Sequence, residues 1–281
     1  MARPTFIRQM RARIIGGVSS AELYWNEVAL HDFTAGGNVA APATDGGSIT
    51  VGTLSLGTDN GDGGAGRGTV VNTASTGLVL TPAASTAQSI ATVATTRTAV
   101  IVTVALDDVN VSASDEEQDI IILWKIAAFA PPDNSAFFQI GYEQTANPLS
   151  SASTGRGELF GPGRSGATQQ FHEGYQDTSG VGGAIVAVSS PPSSSSARVL
   201  AMRLQGKSTA SFYFSNTVGH FDSDTPLTVL TKYSSGTSRQ RSAPPPGPMR
   251  LIAALSSPSV VSPTAATIQG LRVLKLSART V

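Results

Sequence analysis

From His31 onward, apolar residues recur with a period of two in short runs, and Gly, Pro, Ser and Asn punctuate the runs. A period of two puts alternate side chains on opposite faces of an extended chain, whereas a helix needs a period near 3.6. The clearest run is Thr98 to Leu106, where Val100, Val102, Val104 and Leu106 share one face and β-branched residues dominate. Ser48 to Leu56 pairs Ile49 with Val51, then Leu54 with Leu56 after a shift at Gly52 that reads as a bulge. Asp119 to Phe129 carries the unbroken run Ile120, Ile121, Ile122, Leu123, Trp124, the pattern of a strand buried on both faces. Shorter candidates are Thr69 to Asn72, Leu78 to Thr81, Ala136 to Glu143, Ala184 to Ser189 and Ala197 to Leu204. Ser208 to Ser215, Pro226 to Tyr233, Met249 to Leu255 and Ile268 to Leu276 follow, with Phe212 and Phe214 on one face and Tyr213 on the other.

This many strands, spaced by turn signals, predicts an all-β fold: one antiparallel jelly-roll β-sandwich over residues 31–281. Its core is expected at Val100, Val102, Val104, Ile121, Leu123, Leu200, Met202, Phe212, Phe214, Leu251 and Leu274. The low-complexity stretches SSPPSSSS (189–196) and SSGTSRQRSAPPPGP (234–248) read as loops, not as a domain boundary. Residues 1–30 read differently, as a basic N-terminal arm. Phe6, Ile7, Met10 and Ile14 fall at roughly helical spacing between Arg3, Arg8, Arg11 and Arg13, and Glu22 to Leu30 extends the helical reading beyond Gly16-Gly17. Phe6, Ile7 and Met10 would supply apolar contact to a partner, and Arg8 and Arg11 would pair with its acidic or carbonyl groups; the plainer alternative is a frayed terminus. No apolar run follows these arginines, so no signal peptide is read, and no stretch reaches the length of a membrane helix.

Composition narrows the function. Charged residues make up 14% of the 281, below the usual quarter, and the formal net charge is zero. Such a chain lacks the field that steers nucleic acid or an acidic membrane, and its four lysines and dispersed arginines form no phosphate-binding stripe. There is no cysteine, which excludes disulfides, thiolate catalysis and cysteine zinc sites. His31, His172 and His220 are far apart in sequence and lack metal-ligand spacing, and no G-x-S-x-G elbow supports a serine nucleophile.

Three places carry potential chemistry. Asp115, Glu117 and Asp119 alternate, so on a strand they would share a face, as the carboxylates of some sandwich glycosidases do. The plainer reading is a solvated loop before a strand. Asp59, Asn60 and Asp62 lie in the glycine-rich TDNGDGGAGRG loop and offer oxygen ligands to calcium, although their spacing departs from the EF-hand pattern and a flexible turn is the plainer reading. Tyr175, in FHEGYQDTSG, is the loop aromatic chosen for stacking on a sugar. No other cofactor is expected.

Asp32-Phe33, the run SITVGTLSL, the pair of strands in RVLAMRLQGKSTASFYFSNTVG around Gly206-Lys207, and the closing TIQGLRVLKL together resemble the concanavalin-A-like, laminin-G-like sandwiches. That resemblance implies a lectin-like domain that recognises carbohydrate or serves as scaffold. The charge-poor, cysteine-free, Gly/Ser/Thr/Ala-rich character also resembles virion proteins of tailed bacteriophages and gene-transfer agents: head spikes, fibres, decoration and tail-tip subunits. It implies a non-enzymatic virion protein, anchored by its arm to other virion proteins and in contact with a host-surface polysaccharide. Weak self-repulsion and few charged edge residues imply a homo-oligomer, with a trimer favoured. A carbohydrate-active sandwich enzyme and a stand-alone lectin module remain the alternatives.

Overall fold

The computed structural model describes residues 21–35, 48–56, 68–82, 97–105, 119–129, 137–144, 157–165, 168–177, 180–182, 197–205, 209–233, 249–256 and 265–280. The expected all-β antiparallel sandwich is what forms. Its strands are β1 (Ala21–Asp32), β2 (Ser48–Leu56), β3 (Gly68–Thr73), β4 (Gly77–Pro82), β5 (Arg97–Ala105), β6 (Asp119–Ile126), β7 (Phe137–Gln144) and β8 (Gly157–Ser165). They continue as β9 (Thr168–Asp177), β10 (Gly180–Gly182), β11 (Val199–Gln205), β12 (Thr209–Ser215), β13 (Thr231–Lys232), β14 (Met249–Ser256) and β15 (Ala266–Thr280).

One sheet runs β13-β12-β11-β6-β15 and the other β10-β9-β8-β7-β14-β5-β2. The long β15 organises the first sheet. Its one edge pairs with β6, while its other edge is divided between β4, at Ala266 to Ile268, and β1, at Gly270 to Thr280. β3 then extends β4. Gly77 makes the β3–β4 turn possible. Its φ is +113°, and a Cβ there would sit 2.3 Å from the Ile268 carbonyl oxygen.

The main core fills the space between the sheets. Ile120, Ile122, Trp124 and Ile126 of β6 meet Phe138, Ile140 and Tyr142 of β7 and Leu251, Ala253 and Leu255 of β14 in one cluster of buried side chains. At one end, rings from both sheets interlock: Phe160 lies 4.9 Å from Phe212 and 4.8 Å from Tyr233, and Phe171 lies 4.6 Å from Phe214. Such aromatic pairs contribute about 0.5–1.5 kcal/mol each beyond their burial.

A second, smaller core lies on the outer face of the first sheet. Ile121 and Leu123 of β6, Val199 and Ala201 of β11, Tyr213 of β12 and Leu274 of β15 pack there against Phe221 and Leu230. The cover comes from the chain between β12 and β13, which forms a 3-10 turn (Val218–Asp222) and then a single helical turn, α1 (Pro226–Val229). This is why the β6 run is apolar without alternation. Phe221 and Leu230 are each buried, which stabilises the cover by roughly 1.5–3 kcal/mol apiece.

Several sequence expectations hold in detail. Leu200, Met202, Phe212, Phe214 and Leu251 join the inner core, Ile121, Leu123 and Leu274 the outer one, and Tyr213 takes the face opposite Phe212. The β11–β12 pair around Gly206-Lys207 forms in register from Val199↔Ser215 to Gln205↔Thr209. β5 forms, but the side chains of Val100, Val102 and Val104 lie outside the described residues, as does the run Ala184 to Ser189.

Others are corrected. Glu22 to Leu30 is not helical: Ala21–Asp32 is strand, paired with β15 from Ala21↔Thr280 to Asp32↔Gly270, so residues 21–30 belong to the sandwich and not to the arm. The mixed spacing that suggested a helix comes from a bulge between Glu27 and Ala29. Before it, Trp25 packs on the outer cluster; after it, Ala29 and Phe33 enter the inner core while Leu30 stays outside. Pro226 to Tyr233 is not one strand, because Pro226 occupies the first turn of α1, where its fixed φ and missing N–H are tolerated. The expected bulge at Gly52 is absent, since β2 and β5 pair without a shift from Ser48↔Ala105 to Leu56↔Arg97. β8 and β9 were not foreseen at all.

Candidate functional site

The outer core ends in an open groove of about 550 Å³. Its walls are Leu23, Tyr24 and Trp25 from β1, Leu276 from β15, and Asp224, Thr225, Leu227 and Thr228 from the cover around α1. Trp25 and Leu276 stand opposite each other in the β1–β15 register. Tyr24 is 39% exposed, one of the few large apolar side chains among the described residues to reach solvent.

Two arginines hold these walls. Arg272 of β15 donates to Glu27 Oε2 at 2.5 Å, to the Ser223 carbonyl at 2.9 Å and to the Phe221 carbonyl at 3.2 Å, and lies 3.4 Å from Asp224 Oδ1. One guanidinium thus ties β1 and the cover to the sheet. Arg203 of β11 forks onto Asp119, with Nε donating to Oδ1 at 2.7 Å and Nη2 to Oδ2. The same guanidinium carbon lies 5.9 Å from the centroid of Trp25, within cation–π range. Asp119 and Arg203 therefore brace the indole that lines the groove, although neither lines it. Burial pushes the Asp119 carboxyl up, and the Arg203 hydrogen bond and charge offset this only in part. Around α1, the Thr228 hydroxyl lies 2.8 Å from the Thr225 carbonyl oxygen and 3.1 Å from the Thr225 hydroxyl, which sets both threonine side chains along the rim.

Of the candidate site residues read from sequence, Tyr175 and Asp119 lie on described strands. Tyr175 is not in a loop: it lies in β9, in register with Glu158 of β8 and Gly182 of β10, and Glu158 is in turn opposite Tyr142 of β7. Its side chain lies outside the described residues. Of the acidic trio, Asp119 is the first residue of β6 and is buried, not a solvated loop residue; Asp115 and Glu117 lie outside the described residues. So do Asp59, Asn60 and Asp62, and so do Phe6, Ile7, Arg8, Met10 and Arg11. Among the described residues, no three His, Asp or Glu side chains gather to hold a metal, and no helix is long and apolar enough to cross a membrane.

A serine–histidine contact does occur, with Ser215 Oγ 2.7 Å from His220 Nδ1. Ser215 Oγ also accepts the Thr217 N–H at 3.0 Å, and the two partners are five residues apart at the start of the 3-10 turn. The contact belongs to a local turn at the end of β12, and neither residue lines the groove.

Sequence reasoning missed the groove and the place of Trp25 in it. Its walls come from the two ends of the chain and from a segment near residue 225, and no local pattern links them.

No protein-family model matches the chain, and no curated protein matches it. Among solved structures, it is similar to a protein of unknown function from Shewanella oneidensis MR-1, at 11% identity and a TM-score of 0.42, over 98% of this chain and 95% of that one. It is also similar to an endo-1,3-β-glucanase from Streptomyces sioyaensis, at 10% identity and a TM-score of 0.40, over 90% and 97% of the two chains. An engineered GH43 glycoside hydrolase is similar at 11% identity and a TM-score of 0.40, and there the match spans 76% of this chain but 36% of the hydrolase.

Proposed function

We propose that this chain is a non-enzymatic structural subunit of a virus particle, a peripheral spike, fibre, decoration or tail-tip protein whose β-sandwich contacts a host-surface polysaccharide. The observation that carries the non-enzymatic side is the fate of Asp119. Of the three alternating carboxylates, Asp119 is the one within the described residues, and its carboxylate is buried and committed to Arg203. A glycosidase needs a carboxyl open to substrate. The virion side is supported by the charge-poor, cysteine-free composition and by the arginine-rich segment ahead of β1. Self-association is supported by β1, which among the described residues pairs with β15 and with no second strand. In this reading Phe6, Ile7 and Met10 dock the subunit onto a neighbouring virion protein and Arg8 and Arg11 pair with it. The subunits associate with one another, as a trimer for a spike or fibre.

The test is particle composition. Particles made with the full chain should contain it, and particles made with residues 1–14 deleted should lack it while the truncated protein keeps its β-rich far-UV spectrum. Normal occupancy of the truncated protein removes the arm from the proposal, and absence of the full chain from purified particles removes the virion reading. Turnover of a polysaccharide that is lost in Glu117→Gln would overturn the non-enzymatic reading.

A further inference from the structure

The groove beside α1 has the make-up of a ligand site, and its chemistry narrows the ligand. Its volume of about 550 Å³ falls within the range of small-molecule sites, about 300–1,000 Å³. Leu23, Leu227 and Leu276 give it apolar walls, Trp25, on the same face of β1 as Leu23, gives it aromatic surface, and Asp224, Thr225 and Thr228 give it a carboxylate and two hydroxyls at the rim. Flat C–H faces flanked by many hydroxyls are what such a mixture fits: the indole takes the C–H face, and the oxygens take the hydroxyl hydrogens.

Charge narrows it further. The lining includes one carboxylate and no basic side chain. Arg272 reaches Asp224, but its donors are already spread over Glu27 and two backbone carbonyls, and Arg203 is engaged by Asp119. Among the described residues no basic side chain at the rim is left to receive a phosphate or a uronate, and the Asp224 side chain, 95% exposed, would repel either. The aromatic surface is also set before any ligand arrives, because the buried Asp119–Arg203 pair braces Trp25 from below. Preorganisation of this kind lowers the ordering cost of binding.

We infer that this groove binds a neutral oligosaccharide, with Trp25 as the stacking surface and Asp224, Thr225 and Thr228 as its hydroxyl partners. The inference deepens the function proposed above by naming a ligand class and its site, and it rests on that reading only in that the sugar is held and not cleaved.

The full-length protein supplies its own probe. It has two tryptophans, and Trp124 is fully buried, so a ligand-induced change in indole emission reports on Trp25. The titrants are neutral gluco-, manno- and galacto-oligosaccharides, with a uronic-acid oligosaccharide and choline as comparisons. A saturable change with at least one neutral sugar is expected. Affinity should fall at least tenfold in Asp224→Asn and in Thr228→Val, both surface changes that leave the two cores intact. No response to any neutral sugar, a response to choline or uronate alone, or binding unaffected by both substitutions would overturn the inference. Analysis of the titrated sugars for cleavage separates the two claims. Cleaved product with binding still dependent on Asp224 and Thr228 sinks the non-enzymatic reading and leaves the groove assignment standing.

Discussion

Replacing Arg203 with methionine tests the bracing of the groove most directly. In the folded protein the Asp119 side chain is 1% exposed and that of Arg203 14% exposed, so the pair is sheltered from bulk water on the carboxylate side. Methionine keeps much of the aliphatic packing and removes both hydrogen bonds and the charge. Breaking a buried pair by removing one member costs about 3–5 kcal/mol, because the other charge is left uncompensated. Arg203 retains some solvent contact, which places the loss near about 3 kcal/mol at neutral pH. At an m-value of about 3 kcal/mol per M, the urea midpoint should fall by about 1 M.

The pH dependence follows from the carboxyl. Burial already raises the Asp119 pKa against the Arg203 contribution, and without Arg203 it rises further. A folded state that binds the proton more tightly than the unfolded chain gains stability as the pH falls through the folded pKa toward the unfolded one, at about 1.4 kcal/mol per unit of difference. The variant's deficit is therefore largest at neutral pH and narrows by about pH 4.5. Pairing Arg203→Met with Asp119→Leu removes the orphaned charge. That double variant should recover to within about 1 kcal/mol of the parent, the remainder reflecting the lost cation–π contact with Trp25. Urea denaturation followed by far-UV circular dichroism at both pH values measures all of this. A single-variant loss under about 1 kcal/mol at neutral pH, or a deficit that does not shrink on acidification, would refute the argument.

Arg272→Met should loosen the outer cover, since the Phe221 and Ser223 carbonyls and Glu27 lose their common donor. A global loss of about 2 kcal/mol is expected, discounted for the partly exposed Glu27, with amide exchange quickening first in residues 217–230; an unchanged exchange pattern there would show that the apolar contacts alone hold the cover. Gly77→Ala puts a methyl 2.3 Å from the Ile268 carbonyl oxygen at a φ of +113°. It should cost about 2 kcal/mol or more in the same denaturation assay, and a neutral result would mean that the β3–β4 turn does not need its left-handed geometry.

How much of this was readable in advance depended on how local each signal was. Alternation in Ser208 to Ser215, the two-sided apolar run in β6, and the closing run of β15 are properties of single strands, set by the geometry of an extended chain, and the structure keeps them. β8 and β9 were invisible because Gly157, Gly161, Gly163 and Gly174 interrupt their apolar pattern. Gly161 is there for a reason outside its own strand: a Cβ would lie 1.9 Å from the Phe138 carbonyl oxygen of β7. β1 misled because a bulge changes its phase midway, and α1 because Leu227, Val229 and Leu230 are apolar for the sake of the sheet beneath them.

The groove lay beyond the reach of any window along the chain. Trp25 and Leu276 meet because β1 and β15 pair across a long sequence separation, and α1 lies over them because Arg272 gathers carboxylates and carbonyls from β1 and from the cover. Asp119 shows the same division. Its place at the start of a strand could be read from sequence, but its role could not, because that role depends on Arg203, 84 residues away, arriving on the neighbouring strand. Local geometry determines which stretches are strands and which of their faces are apolar. Pairing over long sequence separations decides which charges are neutralised and where a face stays open, because those energies exist only once the partners are in contact.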